Sequence, residues 1–447
     1  MPSTKPKRKS QPQGKSPKSL TTLSAAQAAR AIADGEITSQ ALVQACLDRI
    51  AEREPVVRAW VHLDPAHAIA QARARDDERN SGKPLGPLHG VPVGVKDVLD
   101  TWDMPTQMGS PIFDGWQPRT DAACVALARK AGAVILGKTV TCELAGIAPR
   151  ETMNPHDPKR TPGGSSSGSA AAVADFHVPL AFGTQTGGSV LRPASFCGVV
   201  GYKPTYNMIN RAGMKFAAES LDTIGVFARD VEDAALLADV SIDRLHVPLR
   251  KLDAAPRIGV CRNVMWEEFA SAETKAALDA AAMRAKSAGA AVVDVALDTD
   301  FARLFSTRGA INDYERACGL AWEWAHHRDA LSPQMRKTVE QGLALPHARY
   351  QQTLRLAELC RSKLAALMQD VDILITPAAD GEAPPGLHYA GNSAFQALWT
   401  MLHVPTISIP LAKGPNAMPV GVQLVAARWD DRRLLETARW TMGLEHG

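Results

Sequence analysis

Hydrophobic positions recur along this chain with two different periods, and their alternation predicts a layered α/β architecture. Ser24-Ala25-Ala26-Gln27 has the form of a capping box, followed by Ala28, Ala29 and Ile32 at helical spacing and closed by Gly35. A second helix is predicted after Thr38, with Leu42, Val43, Cys46, Leu47 and Ile50 on one face. The Pro- and Gly-rich residues 82–90 lead into a short apolar run that ends at Lys96. Residues 121–132 fit a helix, 133–137 a buried strand, 169–174 the opening of an Ala-rich helix and 199–201 another core strand. Further on, 257–261, a helix over 273–287 and 291–295 fit a βαβ unit, and 300–370 reads as helical. Residues 372–377 and 406–410 read as strands ended by proline, and 420–425 as one more. The expected fold is α/β: a single large domain with a mixed, mostly parallel central sheet covered by helices on both faces. No internal repeat, and no linker after residue 20, divides it.

Composition adds limits to this picture. The 447 residues are 45% hydrophobic and 22% charged, as in an ordinary globular protein. No apolar stretch approaches the roughly 18 residues of a membrane span. The formal net charge of +3 misleads, because residues 1–19 hold Lys5, Lys7, Arg8, Lys9, Lys15 and Lys18 and no acid. Without those six, 44 of the 50 basic residues face 47 acidic ones. A basic tail over residues 1–20, rich in Pro, Ser and Gln, is expected to be disordered, ahead of a folded domain over 21–447. It lacks the apolar core and cleavage site of a secretory signal. The seven cysteines are scattered and form no Cys-x-x-Cys pair, and the twelve histidines form no metal-binding pattern. The cysteines read as reduced, mostly buried thiols of a cytoplasmic protein, and no metal is expected.

The chemistry concentrates in two glycine-serine clusters, Gly163-Gly164-Ser165-Ser166-Ser167-Gly168 and Gly187-Gly188-Ser189, together with Lys96 at the end of its apolar run. A serine hydroxyl is a poor nucleophile until a base takes its proton. Gly164-Ser165-Ser166-Ser167-Gly168 matches the nucleophile-elbow pattern, which needs a strand immediately before it. Residues 154–162 contain three prolines and cannot supply a central strand. A phosphate-cradling loop fits poorly too, since no Gly-Lys-[Ser/Thr] follows the glycines. The third layout is two serines and a lysine.

That layout has a family. Gly86-Pro87-Leu88-His89-Gly90-Val91-Pro92-Val93-Gly94-Val95-Lys96-Asp97, Gly163 to Ala174 and Gly183-Thr184-Gln185-Thr186-Gly187-Gly188-Ser189 resemble the motifs of the amidase signature family, in its order and spacing. Pro193-Ala194-Ser195-Phe196-Cys197-Gly198, Gly201-Tyr202-Lys203-Pro204-Thr205 and Pro419 to Val425 follow in the same manner. The resemblance runs from about Leu23 to the C-terminus. It implies that Ser189 is the acylated nucleophile, Ser165 a proton-relaying serine on a cis peptide bond, and Lys96 the base. Backbone N–H groups of Thr186, Gly187, Gly188 and Ser189 are implied as the oxyanion hole. For Lys96 to act as a base, its pKa must fall from about 10.4 to near 7. Val93 and Val95 are expected to desolvate it, the N-terminus of the 169–174 helix to add a positive dipole, and Asp97 to point away.

Two departures bear on substrate. Much of the family has Asp where this chain has Gln185, and arginine two residues after the nucleophile, whereas Arg192 lies three after Ser189. The Gln-Thr-Gly-Gly-Ser-Val form resembles stand-alone small-amide hydrolases more than the amidase subunits of tRNA-dependent amidotransferases. Arg192 is a candidate for binding a substrate carboxylate, or else braces the turn through carbonyls. Tyr314, Trp322, Trp324, His326 and His327 lie where a substrate-lining helical insertion is expected, or serve as helix packing. The expected activity is hydrolysis of a small amide to acid and ammonia or amine, needing no metal or cofactor. The alternatives are the amidase subunit of a tRNA-dependent amidotransferase, an esterase and a silent binding protein. The expected partner is the small-molecule amide, with no nucleic acid and no membrane, and a homodimer is left open.

Overall fold

Eleven strands join in one sheet in the computed structural model, which describes residues 20–444. In chain order they are β1 Trp60–Leu63, β2 Pro92–Lys96, β3 Val134–Thr139, β4 Leu180–Gln185, β5 Val200–Lys203 and β6 Thr223–Ala228. There follow β7 Arg257–Val260, β8 Ala291–Asp294, β9 Ile373–Pro377, β10 Thr406–Lys413 and β11 Pro419–Val425. Across the sheet the order is β1-β3-β2-β4-β6-β5-β10-β11-β9-β7-β8.

The mixed sheet is as expected, but the expected parallel majority is not. Four neighbouring pairs are parallel, β2–β3, β2–β4, β7–β8 and β7–β9. Six are antiparallel. Helix-strand alternation suggests crossovers, but an antiparallel pair needs none. β10 and β11 are joined by residues 414–418 alone, and the segment between β5 and β6 contains no helix. The βαβ unit does form, with helix Ala272–Ser287 between the parallel β7 and β8.

Alternate side chains of the buried strands enter different clusters, which is the signature of a sheet covered on both faces. Ile135, Leu180 and Phe182 pack with the helix Val231–Val240. Val134, Leu136 and Ala181 pack instead with helices Ser39–Val57 and Ser167–Ala174. The capping box at Ser24 forms as read, its hydroxyl accepting from Gln27 N, and Thr38 caps the second helix. The basic tail lies outside the described residues apart from Leu20. That residue, expected in the tail, is buried in the core.

The Ser167–Ala174 helix sits unusually close to the sheet, and its sequence explains why. A Cβ on Gly168 would meet Ala59 O at 2.3 Å and Val140 N at 2.4 Å. Gly168 N donates to Val140 O at 3.0 Å, Ser169 Oγ to Phe182 O at 2.8 Å, and Ser169 Oγ lies 2.7 Å from Thr139 Oγ1. Backbone walls cannot yield as a side chain can. Gly168→Ala is therefore expected to cost about 1–3 kcal/mol or more, read as a fall in melting temperature.

Candidate active site

The register of the parallel strands β2 and β4 decides where the lysine goes. Val93 pairs with Leu180 and Val95 with Phe182, so Lys96, at the end of β2, arrives beside Thr184. Sites in α/β sheets commonly lie beyond the carboxyl ends of parallel strands. Side chains alternate across the sheet, so Val93 and Val95 join one face while Lys96 turns to the other, where helix Ser167–Ala174 packs. Ser165, on the loop before that helix, and Thr184 on the neighbouring strand border the buried amine.

Lys96 is fully buried, and its Nζ lies 2.8 Å from Ser165 Oγ, 2.8 Å from Thr184 Oγ1 and 3.4 Å from Thr184 O. Burial pulls its pKa from 10.5 down to about 7. Cys142 and Asp222 oppose that fall, and Arg192 and Arg316 add to it. Asp97 points away, as expected: its carboxylate lies 3.3 Å from Lys138 Nζ and accepts from Gln107 N at 3.1 Å. Ser165 lies two residues before the first residue of the Ser167–Ala174 helix, and the Gly164–Ser165 peptide bond is cis.

Ser189 reaches the same place from β4. Ser166 N donates to Ser189 O at 3.4 Å, and Ser166 Oγ exchanges hydrogen bonds with the backbone of Thr184, which ties the two serine loops together. The departure at Gln185 has a visible structural use. Its Oε1 accepts from Val190 N at 2.9 Å and Leu191 N at 3.1 Å, and its Nε2 donates to Thr400 Oγ1 at 3.0 Å. A carboxylate accepts like the first pair but cannot donate like the second. Thr400 Oγ1 also donates to Gly187 O at 3.0 Å, and Thr186 Oγ1 hydrogen-bonds Asp222. The turn is held from outside, while the N–H groups of Gly187, Gly188 and Ser189 have no acceptor among the described residues. A Cβ on Gly188 would fall 2.4 Å from Gln396 Oε1, so a larger residue here would have to displace the Gln396 amide.

A cavity of about 480 Å³ opens over this turn, lined by Thr186, Gly187, Gly188, Ser189 and Arg192. Arg192 is only 3% exposed; its Nη2 donates to Gly164 O at 2.5 Å, so it braces the turn, and burial lowers its pKa to about 10. Its Nε has no partner among the described residues. The far wall comes from residues the sequence did not single out: Arg308, Asn312, Asp313 and Arg316. Arg316 is buried and donates to Leu144 O at 3.0 Å. The aromatic and histidine group expected here does not line this cavity. Tyr314 stacks on Tyr350 with ring centroids 4.4 Å apart in a different cleft, and Trp322 is exposed. Among the described residues, no three His, Cys, Asp or Glu side chains gather to hold a metal ion. No described helix is long and apolar enough to cross a membrane.

Comparison with known proteins agrees with this geometry. The family model described as Amidase matches residues 41–435. A glutamyl-tRNA(Gln) amidotransferase subunit of Chloroflexus aurantiacus is 34% identical over 93% of this chain and 94% of its own length. The same subunit from Thermobifida fusca is 51% identical over 49% of this chain, which spans 45% of that protein. Among solved structures, one described as an amidase superposes with a TM-score of 0.87 at 30% identity, covering 94% of this chain and 99% of that one. Peptide amidase from Stenotrophomonas maltophilia superposes with a TM-score of 0.79 at 29% identity, covering 95% and 97%. With its lysine and serine loops assembled at the carboxyl ends of β2 and β4, the chain belongs to the amidase signature family of enzymes that hydrolyse C–N amide bonds.

Proposed function

We propose that this protein hydrolyses a small carboxylic acid amide through an acyl-enzyme on Ser189. The observation that carries the reading is a buried amine with no carboxylate partner among the described residues, 2.8 Å from a serine hydroxyl on the loop that touches Ser189. A neutral lysine has two N–H groups and one lone pair. The carbonyl and hydroxyl of Thr184 take the N–H groups, and the lone pair faces Ser165. Ser189 Oγ attacks the amide carbon and passes its proton to Ser165, whose own proton moves to Lys96. The carbonyl oxygen gathers charge against the N–H groups of Thr186 to Ser189. As the C–N bond breaks, the proton returns by the same route to the leaving nitrogen. Water then attacks the ester and releases the acid. The test is ammonia release from a panel of neutral and carboxylate-bearing amides, wild type against Ser189→Ala. Release that persists in the variant contradicts the reading.

Arg192 is proposed to bind a second carboxylate of the substrate as well as brace Gly164. Arg192→Ala is expected to raise KM for a carboxylate-bearing amide about tenfold more than for a neutral one of equal size. Equal effects on both assign it the bracing role alone.

A second reading draws on the relatives: an ammonia-producing subunit of an amidotransferase, the enzyme their names describe. It requires glutaminase activity that rises with a stoichiometric partner chain. Full turnover of small amides by the isolated protein decides for the first reading.

A further inference from the structure

The reaction cavity is not closed at its far side. A second lobe of about 590 Å³ shares six lining residues with it: Ile147, Arg192, Ser306, Arg308, Gln334 and Ser393. These form a neck. On the near side are the turn of Ser189 and the polar helix 309–319. On the far side the lining changes to Met265, Phe269, Phe305 and Tyr389, with Ala302 and Ala390 between them.

Two guanidinium groups stand in the neck. Arg192 presents a buried Nε with no partner among the described residues. Arg308 lies over the Phe305 ring, 4.1 Å from its centroid, and donates to Phe305 O at 3.0 Å. Its planar fork is thereby oriented without an ion pair among the described residues. Glu268 and His388 are the other charged or titratable groups of the far lobe besides Tyr389. Each lobe alone falls in the range of about 300–1,000 Å³ that holds a drug-sized ligand. A short aliphatic amide bound at Ser189 leaves the far lobe empty.

From the shared neck and the aromatic lining, we infer that the substrate spans both lobes. Its amide lies at Ser189, an anionic or carbonyl group lies between Arg192 and Arg308, and an aromatic ring packs among Phe269, Phe305 and Tyr389. The inference rests on the amidase reading and narrows it to ring-bearing amides. Three aromatic side chains favour a ring over a flexible chain, because offset and edge-to-face contacts add to the area buried.

The test compares kcat/KM for matched amides, succinamic acid with its phenyl- and benzyl-substituted forms, the ring carried on the acyl chain in one series and on nitrogen in the other. A ring at one of these positions is expected to raise kcat/KM about tenfold or more over the unsubstituted amide. Phe269→Ala, which removes a half-buried wall, and Ala302→Trp, which fills the lobe from an exposed helical position, are each expected to collapse that ratio. Thermal melts confirm that each variant folds. A wild-type ratio near one in both series, alongside Ser189-dependent release of ammonia from the short amide, overturns the two-lobed site and leaves the amidase reading standing. No Ser189-dependent release from any amide overturns both.

Discussion

Ser189→Ala is expected to reduce amide turnover by about a millionfold, to the residual rate that binding and the oxyanion donors supply on their own. The expectation follows from where the hydroxyl sits. It lines the cavity beside the free N–H groups of Gly187 and Gly188, on a turn pinned by Gln185, Thr400 and Asp222. Alanine removes the attacking atom but keeps the pinned turn, so substrate binding should survive. The check is single-turnover ammonia release together with substrate affinity by calorimetry. Loss of turnover with retained affinity is the predicted pair.

Lys96→Met is expected to lower kcat/KM by about 10²–10⁴-fold, the usual contribution of a positioned base. The wild-type pH profile carries the finer prediction. Burial holds the Lys96 pKa at about 7, and the active form is the neutral amine, present above that value. Below it the amine is protonated and cannot accept the Ser165 proton. The profile of kcat/KM should therefore climb about tenfold per pH unit up to about 7 and then level off. In Lys96→Met that limb should disappear along with most of the activity. A limb that survives the substitution assigns the titration to another group.

A depressed lysine pKa does not by itself mark a base here. Lys203 is equally buried, and burial holds its pKa at about 7 too. Its Nζ donates to Pro204 O at 2.9 Å and Val404 O at 2.7 Å. Carbonyls cannot give up a proton, so that lysine braces a strand end. What separates the two is the hydroxyl beside Lys96.

The candidate site residues were legible because each sits on a short motif whose glycines and serines have few other uses. Ser165 and Ser189 end elements whose helix and turn chemistry is written in adjacent residues, and Lys96 closes an apolar run. The direction of Lys96 was less legible. Neighbouring valines suggest an apolar setting, but the polar neighbours of the amine, Ser165 and Thr184, lie 69 and 88 residues away in sequence, and only the pairing with β4 brings Thr184 alongside. The far wall was illegible for a similar reason. The helical stretch from 299 onward declares its secondary structure but not its rotation, so Arg308, Asp313 and Arg316 face the cavity while the conspicuous Trp322 faces solvent. Strands were also missed, among them the fully buried β4 and β6 at the centre of the sheet. β1 is four residues at the sheet edge with no fully buried position.

The most direct test of the account is labelling with a fluorophosphonate probe as a function of pH, followed by peptide mapping. The account predicts one adduct, on Ser189, forming at a rate that falls about tenfold per unit below about pH 7 as Lys96 protonates. An adduct elsewhere, no adduct at all, or a rate at Ser189 that ignores pH across the neutral range would contradict a serine activated by a neutral Lys96.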